Sequence, residues 1–388
     1  MEILLQAAVK KSLVASRPEV ELLLCCARTH VDSETAERII ILLQNSIDWA
    51  FLIEIANQHG VMPLLYWSLK ATCPEAVPKD IWVKLQTLFH AHAAYNRFLT
   101  SQLLDLLNMF KDSDISAIPF KGPALANSVY GNLVLRQFCD LDILFHKSDI
   151  LTAKNLLIAQ RYENAEKLTY EQEIAQLQSP YVKAYTYKSN KTPVMVELHW
   201  QLRATYSSFP INYEGLWERM IPVSLADTPI FNLSPEDEIL YLCAHGCGDR
   251  WQKFLQICDI AEAIRTHQTL NWQQMLEQAS RLGCRRRLFL GLFLSKELLQ
   301  TNLPAEVWQK IQADSAIKWL GEWVCQRLFR QPDESPKVLD QALFDLVSLE
   351  RLQDKGRYLR DRLILLIVTK FRLGFARKYG LPGGKLLD

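Results

Sequence analysis

The chain has 388 residues, of which 49% are hydrophobic and 22% are charged, so a largely disordered chain is excluded and two or three folded units are expected. The 44 Lys and Arg residues almost balance the 43 Asp and Glu residues, and a net charge of +1 argues against a dedicated nucleic-acid coat protein. Nine scattered cysteines without a CxxC pair argue against a disulfide framework and against a zinc ribbon.

The first half of the chain changes from helices to mixed structure. Residues 1–110 have apolar side chains spaced three and four residues apart, which is typical of amphipathic helices, and residues 90–110 predict one long helix. Residues 111–205 then alternate short apolar runs with helical stretches. Within them, Phe138–Phe145 and Val194–Trp200 have the period of two that predicts strands.

The second half predicts helices again. Ser234, followed by a proline and two acids, is a typical helix start, and Ala305–Phe329 reads as one helix. The expected fold is α+β, with a small mixed β-sheet core in residues 111–205. An N-terminal helical region, residues 1–110, and a C-terminal helical domain, residues 206–388, flank this core.

The last 38 residues, 351–388, form a basic tail with ten Lys or Arg residues and three acids. Three interpretations are open: a solvated helix face, docking of an anionic acceptor such as RNA or a phosphorylated ligand, and peripheral membrane attachment. The apolar run Leu363–Val368 is far shorter than a membrane span, and the N-terminus lacks the charge order of a signal peptide. We therefore expect a reduced, cytoplasmic protein without a transmembrane segment.

Two aspartates interrupt the apolar strand Phe138–Phe145. Side chains alternate between the faces of a strand, so Asp140 and Asp142 point the same way, about 7 Å apart along the backbone. Two acids on one face of an apolar strand are costly unless a cation compensates them, and oxygen ligands suit Mg²⁺ or Mn²⁺. The alternative is an exposed edge strand with two solvated acids.

A second apolar strand, Val194–Trp200, carries Glu197 and His199 on one face. If this strand neighbours the first, Glu197 becomes a third carboxylate directed at the same place, and three acids can hold two metal ions. His199 either lines the same cleft or is a packed, hydrogen-bonded histidine.

The turn Lys121-Gly122-Pro123 lies at a strand-to-helix junction. Glycine lets the backbone approach a ligand closely, a helix N-terminus favours an anion, and Lys121 adds a positive charge. The alternative is an ordinary turn with an exposed lysine. Arg136 could neutralise a phosphate, or it could form an ion pair with a neighbouring acid.

Together these segments resemble a known family. The runs FKGPALANSVYGNLVLRQFCDLDILFHKSDI, VMVELHW and LSPEDEILYLCAHGCGDRWQKFLQICDIAEAI are similar to an uncharacterised bacterial nucleotidyltransferase family of the polymerase-β-like superfamily. The resemblance covers roughly residues 90–300. It implies transfer of a nucleoside monophosphate from an NTP to an acceptor hydroxyl, with release of pyrophosphate and with Mg²⁺ or Mn²⁺ as cofactor.

The resemblance also assigns roles to individual residues. The paired aspartates of the superfamily signature match Asp140 and Asp142, and its third acid matches Glu197, which implies that all three are catalytic and hold metal. Its glycine matches Gly122, but Pro123 stands where the signature has a Ser or Gly that helps to hold the triphosphate. The match implies nucleotide binding for Gly122, and the positive charges of Lys121 and Arg136 make these two residues further candidates for nucleotide binding.

Further candidates lie in the C-terminal domain. His245, Asp249 and Arg250, together with His199, are candidates to line the cleft and to touch the base, the ribose or the acceptor. The alternative is a capped helix end with an Arg-Asp surface pair. Asp259 interrupts an apolar helix and predicts a buried hydrogen-bonding residue that orients a neighbour.

Two other functions stay open. A catalytically weak nucleotide-binding or regulatory protein could keep the same fold, and a transferase could use another activated donor such as a nucleotide sugar. The acceptor is likewise open among a protein hydroxyl, an RNA end, a peptide and a small metabolite.

Overall fold

The computed structural model describes residues 17–166, 168–203, 213–329 and 338–363. Within these ranges, helices flank a five-stranded and a two-stranded sheet, which confirms the predicted α+β class. The predictions for the first 16 residues and for the basic tail beyond residue 363 fall outside the described residues.

The elements are numbered in chain order. The helices up to the last strand of the large sheet are α1 (Pro18–Cys26), α2 (Ser33–Leu43), α3 (Trp49–Gln58), α4 (Met62–Thr72), α5 (Lys79–Lys111), α6 (Gly122–Tyr130), α7 (Ile150–Ala159) and α8 (Tyr170–Gln178). The later helices are α9 (Tyr213–Glu218), α10 (Pro235–Gly248), α11 (Leu255–Thr266), α12 (Trp272–Leu282), α13 (Arg285–Leu299), α14 (Ala305–Ala313), α15 (Ser315–Leu328) and α16 (Val338–Ser348). Residues 352–363 are also helical.

The strands are β1 (Ala117–Pro119), β2 (Leu141–Phe145), β3 (Tyr162–Asn164), β4 (Ala184–Ser189), β5 (Met195–His199), β6 (Ile221–Leu225) and β7 (Thr228–Asn232). The large sheet has the order β1-β2-β5-β4-β3. β2 and β5 pair in parallel, whereas its other neighbouring strands pair antiparallel, so the sheet is mixed as predicted. A parallel pair needs a long crossover, which here contains α7, β3, α8 and β4.

Local capping explains where several helices begin. The Ser234 side chain accepts the backbone N–H of Asp237, which confirms the predicted start of α10. The predicted helix Ala305–Phe329 is wrong as a single element, because it is divided into α14 and α15. Asp314 leaves the helical conformation between them, and its carboxylate accepts the N–H of Ala316.

Two features are absent from the sequence prediction. Helix α8 covers residues for which no element was predicted, and the antiparallel hairpin β6–β7 lies in the part of the chain that was predicted to be a helical domain. Strand β2 also begins later than predicted, at Leu141, so Asp140 immediately precedes the strand.

Two hydrophobic clusters form the core. The first joins helices from before and after the large sheet, from Val20 to Phe344, so the two predicted helical regions share one core. The second packs the large sheet against the C-terminal half of α5, including Leu103 and Phe110. The residue boundaries of the three predicted domains stay predictions. Across the described ranges, no helix combines the length and apolar character needed to cross a membrane.

Candidate active site

The parallel pair β2 and β5 brings the predicted acids together. Asp142 lies directly opposite Glu197, and His199 follows two residues later on the same face of β5. The intervening Ile143 and Leu198 point to the other face and are buried in the second cluster. If the register between the two strands shifted by one residue, the charged side chains would be buried in the second cluster. The alternation of apolar residues therefore fixes the register. The two strands are therefore neighbours, which is the condition under which Glu197 becomes a third carboxylate at this place.

His199 is fully buried between the two carboxylates. Its Nε2 lies 2.9 Å from Oδ1 of Asp142 and 2.9 Å from Oε2 of Glu197. Its Nδ1 lies 3.2 Å from the carbonyl oxygen of Gln201, which can only accept, so Nδ1 carries a hydrogen. Nε2 therefore faces the carboxylates either with a second hydrogen or with a lone pair available to a cation.

The Lys121-Gly122 turn packs against the start of β2. Gly122 has φ +53°, and a Cβ at this position would lie 3.2 Å from the carbonyl oxygen of Asp140, so a side chain would be strained. Lys121 donates from Nζ to Oδ1 of Asp142 at 3.0 Å, and only 15% of its side chain is exposed. It is therefore part of the cluster rather than the exposed lysine of the alternative interpretation.

The acids of the cluster differ in their electrostatics. Burial raises the pKa of Asp142, but the charge of Lys121 and the contact with His199 outweigh it and hold that pKa well below its usual range. The contact with His199 also lowers the pKa of Glu197. Burial, and then the negative charge of Asp142, raises the pKa of Asp140.

The donor atoms suit a divalent cation. One oxygen each of Asp142 and Glu197 and one nitrogen of His199 lie within 4.8 Å of one another, and no other such group occurs in the residues the structure describes. Two carboxylate oxygens are hard ligands, and an imidazole nitrogen adds a softer one. Asp140 stands beside this group.

Arg136 lies in a separate buried network. Its guanidinium forms two hydrogen bonds to the carboxylate of Asp259, at 2.8 and 2.9 Å, and the hydroxyl of Tyr130 donates to the same carboxylate at 2.7 Å. Arg136 therefore forms an ion pair with an acid, which is one of the two roles expected for it. Asp259 is the buried hydrogen-bonding residue that the sequence predicted. The nucleotide-binding role of Arg136 stays a prediction.

The candidates on α10 meet a residue that sequence analysis missed. Nη1 of Arg203 lies 3.2 Å from Nδ1 of His245 and 3.6 Å from Oδ1 of Asp249. Arg250 instead points to α16, where it forms two hydrogen bonds to Asp345 at 3.0 and 2.8 Å. His245 and Asp249 therefore contact Arg203, whereas Arg250 contacts Asp345.

A second missed residue is Lys183, immediately before β4. Its Nζ lies 3.8 Å from Oε2 of Glu197. Burial, and then the positive charge of Lys121, lowers its pKa. The only sequence signal for Lys183 was one lysine amid an alternating apolar run, and Arg203 stood four residues after His199 without a motif of its own.

The protein is therefore an α+β protein in which acids from two parallel strands lie on the same face of the large sheet. A family model described as an uncharacterised nucleotidyltransferase matches residues 45–300, about two thirds of the chain. The chain belongs to this nucleotidyltransferase family. Searches of curated proteins and of solved structures return no match.

Proposed function

We propose that this protein is a metal-dependent nucleotidyltransferase of the polymerase-β-like superfamily. It would transfer a nucleoside monophosphate from an NTP to an acceptor hydroxyl and release pyrophosphate. The observation that carries this proposal is the register of β2 and β5, which sets Asp142 opposite Glu197 with Asp140 at the start of β2. Family membership supports the same class of reaction.

The residues present fit a divalent metal ion, Mg²⁺ or Mn²⁺. Asp142, Glu197 and His199 offer two oxygens and one nitrogen at one place, and Asp140 adds a carboxylate whose pKa is raised by burial and by the charge of Asp142. Bound there, a divalent ion would lower the pKa of the acceptor hydroxyl and offset charge on the phosphates.

The chain's own groups supply the remaining chemistry. Glu197 is partly exposed, at 23% of its side chain, and its lowered pKa keeps it ionised, so its carboxylate can accept the proton of the acceptor hydroxyl. Lys121 holds Asp142 in place through its 3.0 Å contact and adds positive charge beside the phosphates. Phosphoryl transfer depends mostly on positioning and charge stabilisation, so these few groups suffice.

Replacing Asp142 tests the proposal directly. With Mg²⁺ or Mn²⁺ and each NTP in turn, we expect Asp142→Asn to lower pyrophosphate release at least about 100-fold, since even outer partners of a metal site cost 10–100-fold. Asp112→Asn, at an exposed aspartate beyond α5, is the matched control and should retain full activity. Circular dichroism and thermal unfolding verify that both variants fold.

Two results would contradict the proposal: full activity in Asp142→Asn, or no pyrophosphate release from the wild type with any NTP and acceptor extract. NTP binding without release would instead favour the non-catalytic nucleotide-binding alternative. Incubating cell extract with labelled NTPs and Mn²⁺, with wild type against Asp142→Asn, then separates protein, RNA, peptide and small-metabolite acceptors by size and by nuclease or protease sensitivity.

A further inference from the structure

The N-terminus of α6 is poorly equipped to hold a phosphate chain. Pro123 occupies the second helical position and has no N–H to donate. The N–H of Ala124, next in line, already donates to the carbonyl oxygen of Lys121 at 3.2 Å. If this protein binds a nucleoside triphosphate, most donors to its phosphates must therefore come from elsewhere.

Three cations from separate segments lie near the acidic cluster and His245. Lys121, in the turn before α6, contacts Asp142, and Lys183, just before β4, contacts Glu197. Arg203, in the segment after β5, contacts His245 and Asp249. Burial, and then the charges of these three residues, hold the pKa of His245 well below its usual range. All three cations therefore lie close enough to His245 to act on it, and cations grouped in this way suit a metal-associated polyphosphate.

Arg203 is held in one position by α10. A Cβ at Gly248 would lie 1.8 Å from Nη2 of Arg203, so the guanidinium rests directly on the helix backbone. His245 accepts from its Nη1, and Asp249 adds an opposite charge at 3.6 Å, while the C-terminal end of α10 favours a cation. Tyr213 fixes the preceding residue, since its hydroxyl accepts the N–H of Leu202 at 2.8 Å.

The planar guanidinium of Arg203 suits the oxygens of a phosphate chain. Arginine carries five N–H groups in a planar fork that matches phosphate oxygens. Among the described residues, the contacts of the Arg203 side chain involve only Nη1. Lys183 is less constrained, with 39% of its side chain exposed, and its ammonium can reach a neighbouring phosphate as a mobile point charge.

We propose that Arg203 and Lys183 bind the phosphate chain of the donor, and that His245 and Asp249 are positioning residues that hold Arg203. The proposal rests on the proposed function for the presence of a nucleotide. Arg203 and Lys183 would supply the phosphate contacts that the N-terminus of α6 lacks. They would select a polyphosphate and would not distinguish one base from another.

Binding of two probes tests this proposal without requiring turnover. Titration calorimetry measures the Kd of magnesium-bound inorganic triphosphate and of magnesium-bound ATP. We expect Arg203→Gln and Lys183→Gln to weaken binding of both probes by the same factor, about 10-fold or more. Lys191→Gln, in the turn at the other end of β4 and β5, is the matched control and should bind like wild type.

Two further variants separate positioning from folding. Gly248→Ala touches no ligand but displaces the guanidinium, so we expect the loss seen in Arg203→Gln, with circular dichroism unchanged. His245→Leu should lose affinity, whereas His245→Gln keeps an acceptor for Nη1 and should retain it. A purely structural role for His245 would not distinguish these two substitutions.

Unchanged affinity in Arg203→Gln and Lys183→Gln would overturn the proposal, and so would a loss confined to ATP, because that would place these residues at the base or ribose. Wild type that binds triphosphate but never releases pyrophosphate would contradict the proposed function alone. The two failures are therefore distinguishable.

Discussion

His199 gives the acidic cluster a nitrogen donor. Its Nδ1 contact to the Gln201 carbonyl fixes the ring, and this leaves Nε2 directed between Asp142 and Glu197. Mg²⁺ prefers oxygen ligands almost exclusively, whereas Mn²⁺ and the later divalent metals accept imidazole more readily. The ring is therefore expected to influence which ion the site prefers.

We predict that His199→Gln shifts the metal preference toward Mg²⁺. The variant replaces nitrogen with an amide oxygen, so Mn²⁺ affinity should fall about 10-fold or more while Mg²⁺ affinity changes little. Electron paramagnetic resonance of free Mn²⁺, with Mg²⁺ as competitor, gives both affinities without measuring activity. An equal loss for the two ions would show that His199 only shapes the site.

Among the residues of the site, the acids could be predicted from the sequence, but the cations Lys183 and Arg203 could not. Asp142 and Glu197 are visible because each interrupts an apolar strand with period two. Lys183 and Arg203 lie outside the strands. The pairing of β4 with β5 brings Lys183 to the site, and the packing of α10 fixes the place of Arg203. No local sequence pattern reports these tertiary contacts, so the positions of the two residues could be recognised only from the structure.

The buried ion pair of Arg136 and Asp259 connects the segment between α6 and β2 with helix α11. Both side chains are under 10% exposed, and Tyr130 completes the network. Removing one member would leave a charge without a partner in the interior, which costs more than the pair itself contributes.

We predict that Asp259→Ala lowers the free energy of unfolding by about 3–5 kcal/mol, because Arg136 would remain buried and unpaired. Urea denaturation measures this loss. The double variant Arg136→Met with Asp259→Leu should recover most of it. If that double variant also binds ATP as tightly as wild type, the predicted contact between Arg136 and the nucleotide is wrong.

Elements with strong local signals were predictable, and those set by tertiary contacts were not. The start of α10 at Ser234 and the strands β2 and β5 follow from capping and alternation. The break at Asp314 was missed because the apolar spacing continues across it, and only the cap shows that the helix stops. The parallel pairing of β2 with β5 depends on a crossover of about 50 residues. The spacing of apolar residues predicts single strands but not which strands pair.

His59, which follows α3, connects the N-terminal helices with the segment between α10 and α11. Its Nδ1 accepts the N–H of Phe254 at 3.1 Å, its carbonyl accepts the N–H of Leu255, and its ring packs against Phe329 at 5.0 Å. Burial, reinforced by the charge of Lys253, lowers the pKa of His59 to about 4. The folded protein therefore keeps this histidine neutral where an unfolded chain would protonate it.

We predict a loss of stability between pH 6.5 and 4 that depends on His59. At pH 5 the unfolded chain binds a proton there that the folded chain does not, so acid favours unfolding, by about 2 kcal/mol relative to pH 7.5. Urea denaturation of wild type and of His59→Asn, which keeps an acceptor for Phe254, isolates this contribution. An identical pH dependence in the two proteins would contradict it.

The shared core of the first and last helices also constrains the order in which the chain can fold during synthesis. His59 and its partner Phe254 are separated by 195 residues. At about 5–20 residues per second, a ribosome needs roughly 10–40 s to make that interval. Throughout this delay the apolar faces of α1 to α4 lack their final partners, and the nascent chain exposes surface that a chaperone can bind. The contacts of Arg203 also wait for this part of the chain, because Gly248 and Asp249 are synthesised only a few residues before Phe254.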